Sequence, residues 1–480
     1  MRLFLIGWAE DRPELVDVAD EMKRHGHDIL YWTRSTAVFT IDEKHFPYTV
    51  FHDYEDAVTG RPARALAGEV FDPPSAELLG QMHDAESIFL TMANKKYDWM
   101  TVDERKHLYY HMVGVWTNIL NKFKPEAIVF TMIPHTLYNY VLFKLAKLRH
   151  VPTIMLDTTL VKDRLLFMND YESGNRKLIH ELKETEGKLF SISDLSPDLQ
   201  DYFNQHCNSP SADSAPPYIK KELSNYSFKK KFILKFKILR KSLRERTFFV
   251  QTVGYLYKKF HHNLDDEYKS VQIMPDFDKK FVYAPLQYQP ECTTSPLGGI
   301  FVDQILMLET LSAGLPKDWV IYVKEHPIQW LSRGKNFVGA RYRGYYETIA
   351  KIKNVIVVPI SVDSFSLMRK AQAVATVTGT TGWEAVLRGK PALIFGFPWY
   401  QHCPGVFRAT SIESCHEFFL RAEEHPKIDL SQVINFFYAF DRASIHGFVD
   451  AYGRENSPLS SEENKYNITQ ALLTEIDQIR

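Results

Sequence analysis

The stretch AVATVTGTTGWEAVLRGKPALIF, residues 373–395, decides the fold. It opens with a short apolar run and passes through glycines and threonines. It then continues as WEAVLRG, with a helical pattern, and closes with a second apolar run, ALIF. A strand, a tight turn, a helix and another strand form a βαβ unit, and such units build parallel sheets covered by helices on both faces. The sequence therefore predicts an α/β fold around this segment.

The same alternation of short apolar runs and helical patterns recurs on both sides of this stretch. It predicts two Rossmann-like, doubly wound domains that face each other across a cleft, with ligands bound where the strands end. Besides residues 373–378 and 392–395, strands are predicted at residues 2–8, 28–33, 127–132, 153–156, 281–286, 319–324 and 355–359.

The length of 480 residues is too great for one hydrophobic core, and an apolar share of 45% with 24% charged residues is typical of globular proteins. After about residue 208 the amino-acid composition changes, first to a Ser/Pro-rich patch and then to a basic run. We therefore predict a first domain at 1–205, a basic connection at 206–275, a second domain at 276–430, and C-terminal helices at 431–480 that pack back on the first domain.

The overall charge is nearly balanced, with 58 Lys and Arg against 59 Asp and Glu, so no global field favours nucleic acid as a partner. The four cysteines form no CxxC pair, which favours a reducing compartment. No run reaches the roughly 18 apolar residues of a membrane span. These features predict a cytoplasmic protein.

The basic run at residues 220–259 contains 13 Lys and Arg interleaved with aromatic and aliphatic residues. One interpretation is peripheral contact with anionic lipid at the inner face of the cytoplasmic membrane. The other is a solvated linker helix whose apolar side chains pack on the domains.

The turn TGTTG at residues 378–382 is the strongest candidate for a ligand site. Small residues between a strand and a helix leave backbone N–H groups free beside the positive end of the helix dipole, an arrangement that binds phosphate. Glu384, one turn into the helix, is placed to accept hydrogen bonds from ribose. An ordinary helix cap explains the pattern equally well. The predicted phosphate-binding residues are Thr378, Gly379, Thr380, Thr381 and Gly382.

Two further strand ends carry polar residues. In the segment KEHP, proline fixes the backbone and holds His326 at the predicted crevice, where its ring can donate to a phosphate or a base. The segment QYQ offers amides and an aromatic face suited to a nucleotide base, although a plain polar loop is the alternative. The nucleotide-binding candidates here are Lys324, Glu325, His326 and Pro327, with Gln287, Tyr288 and Gln289. His326 is also a catalytic candidate, and the alternatives are a structural role for this histidine and a solvated strand end for Lys324.

In the first domain, Asp157 follows the predicted strand TIML and is the carboxylate best placed for general-base or nucleophilic catalysis. Capping the next helix is its alternative role. Gly7 and His135 follow two other strands and are predicted on the acceptor side, with a structural role favoured for His135.

Several catalytic signatures are missing from the sequence. It contains no GxxxxGK[ST], GxSxG or HExxH motif, and no DxD follows an apolar strand. The sequence therefore predicts neither a metal site nor a bound cofactor.

Taken together, these segments resemble the bacterial capsule polysaccharide biosynthesis proteins that include the β-Kdo transferases. The residues that carry the resemblance are PLQYQPE at 285–291, then Gly298, Gly299, Phe301, Asp303 and Gln304, VKEHP at 323–327, and TGTTGWEAVLRGKPALIFGFPWY at 378–400. The first domain matches less well, because DTTLV at 157–161 keeps the family's acidic residue without its following glycine and arginine.

The resemblance implies a glycosyltransferase of the GT-B form that takes a CMP-activated acidic sugar, Kdo or a related nonulosonate, to a glycan acceptor without a metal. It assigns the CMP part of the donor to His326, Thr378, Thr380, Thr381 and Glu384. Whether transfer inverts or retains the anomeric configuration stays open. A nucleotide-sugar epimerase of the same form and a non-catalytic polysaccharide assembly component remain alternatives.

Overall fold

The structure is a computed structural model that describes residues 1–9, 13–35, 41–208, 263–330, 339–449 and 451–479. Within these residues the chain alternates between strands and helices along most of its length. The strands are β1 Arg2–Ile6, β2 Asp28–Arg34, β3 Val50–Asp53, β4 Ala127–Phe130, β5 Thr153–Thr158, β6 Arg164–Met168, β7 Lys280–Pro285, β8 Trp319–Lys324, β9 Val355–Val357, β10 Ala373–Thr376, β11 Ala392–Ile394, β12 Val406–Arg408 and β13 Ile445–His446.

The α-helices connect these strands and cover their faces. They are α1 Glu14–Arg24, α2 Tyr54–Val58, α3 Ala76–Gln81, α4 His83–Met92, α5 Val102–Phe123, α6 Leu137–Leu148, α7 Arg176–Glu184, α8 Pro197–Phe203, α9 Leu264–Val271, α10 Gln304–Gly314, α11 Tyr345–Lys351, α12 Ser364–Lys370, α13 Thr380–Leu387, α14 Ile412–Glu424, α15 Leu430–Ala443, α16 Ala451–Asn456 and α17 Ser461–Asp477.

The first sheet has seven strands in the order β13-β6-β5-β4-β1-β2-β3. From β3 to β5 every pairing is parallel, whereas β6 runs antiparallel to both β5 and β13. Apolar side chains alternate along the strands, so that Leu3 and Leu5 face one core while Phe4 and Ile6 face another. Both faces of the sheet are therefore buried, as in a doubly wound domain.

The second sheet is wholly parallel and has the order β12-β11-β10-β7-β8-β9. If β7 to β12 are numbered 1 to 6 and the sheet is read from β9, the strand order is 3-2-1-4-5-6. This is the Rossmann arrangement. The order reverses between β7 and β10. Ligands of such sheets bind at this reversal, beyond the carboxyl ends of the strands.

The C-terminal segment returns to the first sheet. β13 pairs with β6, and α17 packs on α1 through the core that contains Leu3, with Ile468 and Leu472 fully buried. Arg164 at the start of β6 is buried and donates both to Asp198 of α8 and to Asp441 of α15. The end of the chain is thus part of the first sheet's structure.

The predicted α/β class with two Rossmann-like sheets is confirmed. Several features depart from the sequence interpretation. The first sheet is mixed because β6 runs antiparallel, the C-terminal helical stretch is interrupted by β13 after α15, and β3 and β12 add strands that the sequence did not predict. The domain bounds stay predictions, and residues 220–259 lie outside the described residues. In the part of the chain that the structure describes, we find no helix with the length and apolarity to cross a membrane.

Candidate functional site

Three candidate segments follow three neighbouring strands of the second sheet. The segment QYQ follows β7, His326 follows β8, and the TGTTG turn follows β10, with β7 lying between the other two. Because all three strands are parallel, the three segments emerge at one edge of the sheet, at the reversal of strand order. The structure therefore brings the predicted nucleotide-binding segments together.

The TGTTG turn forms the start of α13 without a side-chain cap. Gly379 is the N-cap residue, and no side chain accepts a hydrogen bond from the first turn of the helix. Thr380 and Thr381 are half-buried, and their hydroxyls form no hydrogen bond with another described residue. An uncapped N-terminus with hydroxyl groups beside it is suited to bind an anion.

Close packing holds this turn in place and explains its glycines. A Cβ atom on Gly379 would lie 2.7 Å from Thr376 Oγ1 and 2.8 Å from Gln287 Nε2. A Cβ atom on Gly382 would lie 2.7 Å from the Tyr400 hydroxyl oxygen. That hydroxyl donates to the carbonyl of Gly379, so the turn is fixed from both sides.

Thr378 is buried and is engaged with protein partners. Its hydroxyl donates to the carbonyl of Thr293, and its N–H donates to Oε1 of Gln287 at 3.3 Å. Thr378 therefore positions the turn, whereas the hydroxyls of Thr380 and Thr381 are not engaged by any described residue.

His326 lies half-buried at the end of the β8 strand, with its ring 6.0 Å from that of Tyr288. The N–H of Ile328 donates to His326 Nδ1 at 3.4 Å, which assigns the ring proton to Nε2. Burial lowers the pKa of His326 to about 4, and the charges of Arg341 and Lys324 act in the same direction against that of Glu325. At neutral pH the ring is thus an uncharged Nε2–H donor.

The other polar residues of these segments form a buried framework. Gln287, Gln289, Lys324 and Glu325 are all nearly inaccessible to solvent. Lys324 Nζ donates to the carbonyl of Val362 and to Ser364 Oγ, and burial lowers its pKa to about 8. These four side chains are therefore buried beneath the exposed part of the candidate site. Their direct contact with a nucleotide stays a prediction. Pro327 is exposed.

Glu384 lies on the second turn of α13, half-buried, and makes no ion pair or hydrogen bond through its carboxylate within the described residues. Burial raises its pKa to about 7, opposed by the charge of Arg388. A carboxylate with open acceptor positions beside an anion-binding helix start is consistent with the predicted ribose contact.

Asp157 ends the apolar part of β5, opposite Leu166 of β6. Its carboxylate makes no hydrogen bond to any side chain or N–H group that the structure describes. Solvent still reaches the residue, yet the surrounding protein desolvates its carboxylate and raises the pKa to about 7. Its charge also raises the pKa of the Cys292 thiol, second to burial. Because Cys292 follows β7, the Asp157 carboxylate is within electrostatic reach of a loop from the second sheet.

Cys292 relates the surroundings of Asp157 to the TGTTG turn. Its thiol is within electrostatic reach of the Asp157 carboxylate, and the next residue, Thr293, accepts the hydrogen bond from the Thr378 hydroxyl. Elsewhere the halves are joined by Trp383 Nε1, which donates to the Tyr202 hydroxyl at 3.0 Å, and by Gln401, which donates to the carbonyl of Tyr171 at 3.2 Å. The carboxylate and the anion-binding turn thus border the same interdomain region.

Gly7 and His135 follow β1 and β4, the strands next to β5 in order. Gly7 adopts φ 63°, its N–H donates to Thr33 Oγ1 at 2.6 Å, and its carbonyl accepts from the Thr131 hydroxyl. His135 Nδ1 lies 2.8 Å from the carbonyl of Ile133. Both residues lie, like Asp157, at the carboxyl ends of strands of the first sheet. Their contact with an acceptor stays a prediction.

One residue of this region escaped the sequence analysis. Arg341 is 1% exposed and donates to Glu325, Gln289 and the carbonyl of Gln287. It belongs to no recognisable motif, and an isolated arginine is ordinarily a surface residue. Among the described residues, no three His, Cys, Asp or Glu side chains are arranged as metal ligands.

The two Rossmann-like sheets define a fold of the GT-B class, and the candidate anion-binding turn lies at the reversal of strand order in the second sheet. Residues 278–448 match the family "Capsule polysaccharide biosynthesis protein". Over these residues the resemblance stated from the sequence is confirmed.

Individual relatives are more distant. The capsule polysaccharide modification protein LipA of Neisseria meningitidis serogroup B is 32% identical over 80 residues, which are 17% of this chain and 10% of the relative. The match thus spans a small part of LipA.

Two solved structures are similar in outline. The β-Kdo 2,7 transferase of Thermosulfurimonas dismutans KpsC is 13% identical, with a TM-score of 0.30 over 74% of this chain and 88% of that one. The UDP-GlcNAc 2-epimerase of Neisseria meningitidis is 10% identical, with a TM-score of 0.24 and full coverage of both chains. At such low scores, the strand order remains the basis for the fold.

Proposed function

We propose that the chain is a glycosyltransferase of capsule polysaccharide biosynthesis. Its C-terminal half holds the nucleotide part of an activated sugar, and its N-terminal half supplies Asp157 and receives a glycan acceptor. The observation that carries this proposal is the start of α13, which has no side-chain cap and has two threonine hydroxyls that no described residue engages. Thr293 holds this turn, and the adjacent Cys292 thiol is within electrostatic reach of Asp157.

The donor that we propose is a CMP-activated acidic sugar of the Kdo or nonulosonate type. A CMP-sugar has a single phosphate, which fits one helix N-terminus and one neutral His326 donor. Tyr288, 6.0 Å from the His326 ring, offers an aromatic face to the base. Backbone N–H groups and hydroxyls would stabilise the leaving phosphate, so the proposal needs neither a metal nor a bound cofactor.

Asp157 acts on the sugar or on the acceptor. As a base it takes the proton of the acceptor hydroxyl, whose oxygen bonds to the anomeric carbon while CMP leaves with the electron pair. As a nucleophile its carboxylate bonds to the anomeric carbon first and CMP leaves with the electron pair. The acceptor oxygen then bonds to that carbon and displaces the carboxylate, while the proton of the acceptor hydroxyl passes to solvent. Both routes need the ionised carboxylate.

The proposal places this chemistry in the cytoplasm. Residues 220–259 would contact the anionic inner face of the membrane, a segment that lies outside the described residues.

A binding experiment tests the donor. We expect CMP to raise the thermal unfolding midpoint of the chain more than UDP or GDP, because a ligand that binds the folded state stabilises it by mass action. Equal shifts with all three nucleotides and their sugars would contradict the preference for CMP, and the absence of any shift would contradict the nucleotide site.

A second experiment tests Asp157. Transfer from a CMP-sugar to a glycan acceptor should be lost in Asp157→Asn, by on the order of a thousandfold, while CMP affinity stays near that of the wild type. Asp98→Asn, an exposed carboxylate of the same domain, is the control and should transfer normally. Incubation of the CMP-sugar without acceptor should give no isomerised sugar; an isomer would identify an epimerase instead.

A further inference from the structure

The guanidinium of Arg341 is completely satisfied inside the protein. Nε donates to Glu325 Oε2 at 2.7 Å, and Nη2 donates to Glu325 Oε1 at 3.2 Å and to the Gln287 carbonyl at 3.0 Å. Nη1 donates to Gln289 Oε1 and, at 3.4 Å, to the carbonyl of Ala340. All five N–H groups of the guanidinium have acceptors, and its plane lies 4.7 Å from the ring of Tyr345.

The Glu325 partner connects this arginine directly to His326. Besides the two bonds from Arg341, Oε1 of Glu325 accepts the His326 N–H at 2.6 Å and Oε2 accepts the Tyr346 hydroxyl at 2.5 Å. Glu325 is 1% exposed. The position of the His326 backbone is therefore set by a buried carboxylate that Arg341 neutralises.

The glutamine partners connect the same arginine to the other two segments. Gln287 Oε1 accepts the N–H of Thr378 at 3.3 Å, and Gln304 Nε2 bonds to Gln289 Oε1 at 2.7 Å. One buried guanidinium thus touches the loop after β7 and the loop after β8, and reaches the turn after β10 through Gln287.

We propose that Arg341 is the positioning residue of the nucleotide site, holding the QYQ and EHP loops in one geometry so that Tyr288 and His326 face the ligand together. The inference rests on the proposed function for the identity of the ligand. Lysine cannot reproduce the role, because an ammonium group has three donors on a point charge and lacks the planar fork.

Arg341→Lys is the main test, with Arg164→Lys as the matched control. Arg164 is also buried and also ion-paired, here with the two carboxylates of Asp198 and Asp441, but it lies on β6 of the first sheet. At a temperature where both variants are folded, Arg341→Lys should weaken CMP binding at least tenfold in calorimetric titration, and Arg164→Lys should change it less than twofold. Equal affinities for the wild type and Arg341→Lys, or equal losses in both variants, would overturn the proposal.

Amide hydrogen exchange tests the positioning role of Arg341 in the absence of nucleotide. Protection of residues 285–292 and 323–330 should fall together in Arg341→Lys, while protection of residues 153–158 stays unchanged. If the wild type binds no nucleotide, the proposed function fails, and this exchange result alone decides the positioning role. Unchanged protection of both loops would refute it.

Tyr346→Phe provides a milder variant should Arg341→Lys not fold. It removes one bond to Glu325 and keeps the ring packed. We expect its CMP affinity to fall severalfold and its protection at residues 323–330 to decrease, and wild-type values for both would overturn the proposal.

Discussion

At the scale of single residues, the site consists of titratable groups whose ordinary behaviour is altered by burial. Asp157 and Glu384 are desolvated carboxyls with a pKa of about 7, whereas His326 is a desolvated imidazole with a pKa of about 4. Burial disfavours the charged form in each case, which shifts acids upward and bases downward. Near neutral pH the site therefore combines half-ionised carboxyls with a neutral histidine.

The raised pKa of Asp157 predicts how activity depends on pH. Since both proposed routes need the carboxylate, kcat/KM should rise with pH with an apparent pKa of about 7. Initial rates of transfer between pH 5 and pH 9 measure it. If kcat/KM instead rose with an apparent pKa near 4, the ordinary range of an aspartate, the catalytic role of Asp157 would be contradicted.

The same pKa predicts a change in stability. A protonated Asp157 stabilises the folded state fully below about pH 4, and this contribution is lost as the pH rises through about 7. Asp157→Asn removes the free-energy cost of keeping an ionised carboxylate in this desolvated position. At pH 8 the variant should therefore be more stable than the wild type by on the order of 2 kcal/mol, a value already reduced for solvent screening. Urea unfolding at pH 5 and pH 8 should show the gain at the higher pH.

His326→Ala removes the proposed neutral donor to the phosphate. The loss of a hydrogen bond to a charged group, about 1.5–3 kcal/mol, should raise the CMP dissociation constant about 10-fold to 100-fold. Titration calorimetry measures this, with the exposed His107→Ala as control. A histidine variant that binds CMP like the wild type would remove His326 from the site.

At the scale of elements, the start of α13 depends on a residue without a side chain. Gly379→Ala would place its Cβ 2.7 Å from Thr376 Oγ1 and 2.8 Å from the Gln287 amide nitrogen. We expect a loss of about 1–3 kcal/mol in stability and weaker CMP binding, because the turn must shift. Gly80→Ala in α3, where a Cβ meets nothing within 4 Å, should instead be neutral or stabilising. Thermal melts and calorimetry of both variants provide the comparison.

Elements of regular pattern were predictable from the sequence. β8 at Trp319–Lys324 has the predicted bounds, and the other predicted strands shift by one or a few residues at their ends. The antiparallel β6 and the two-residue β13 escaped prediction because β6 contains an inward-facing arginine and β13 pairs only through contacts distant in sequence. Arg341 escaped for the same reason, since its partners lie 16 to 54 positions away.

At the scale of the whole molecule, the two sheets are joined by contacts that come from residues far apart in the chain. The apolar cluster that contains Phe4 also contains Trp383 and Phe436, and Trp383 donates to Tyr202. The order of candidate residues along the chain was predictable, but this shared core was not, because periodicity describes one element at a time.

The return of α17 to the first sheet predicts the effect of a distant substitution. Ile468→Ala empties a fully buried position in the core of Leu3 and Ile154 and should cost about 2–5 kcal/mol. The exposed Tyr466→Ala, two residues earlier on the same helix, should have little effect. Denaturant unfolding followed by tryptophan fluorescence distinguishes them, and equal stabilities would show that α17 does not support the first sheet.

The position of β13 and α17 also bears on how the protein is made. A ribosome releases β1 to β6 long before it reaches residue 445, and until then the nascent first sheet lacks α17, which together with α1 covers its Leu3 face. The second sheet, whose strands lie between residues 280 and 408, has all of its strands before that point. Synthesis from the N-terminus therefore completes the strands of the second sheet before β13 joins the first, so the first sheet begins earlier and is completed later.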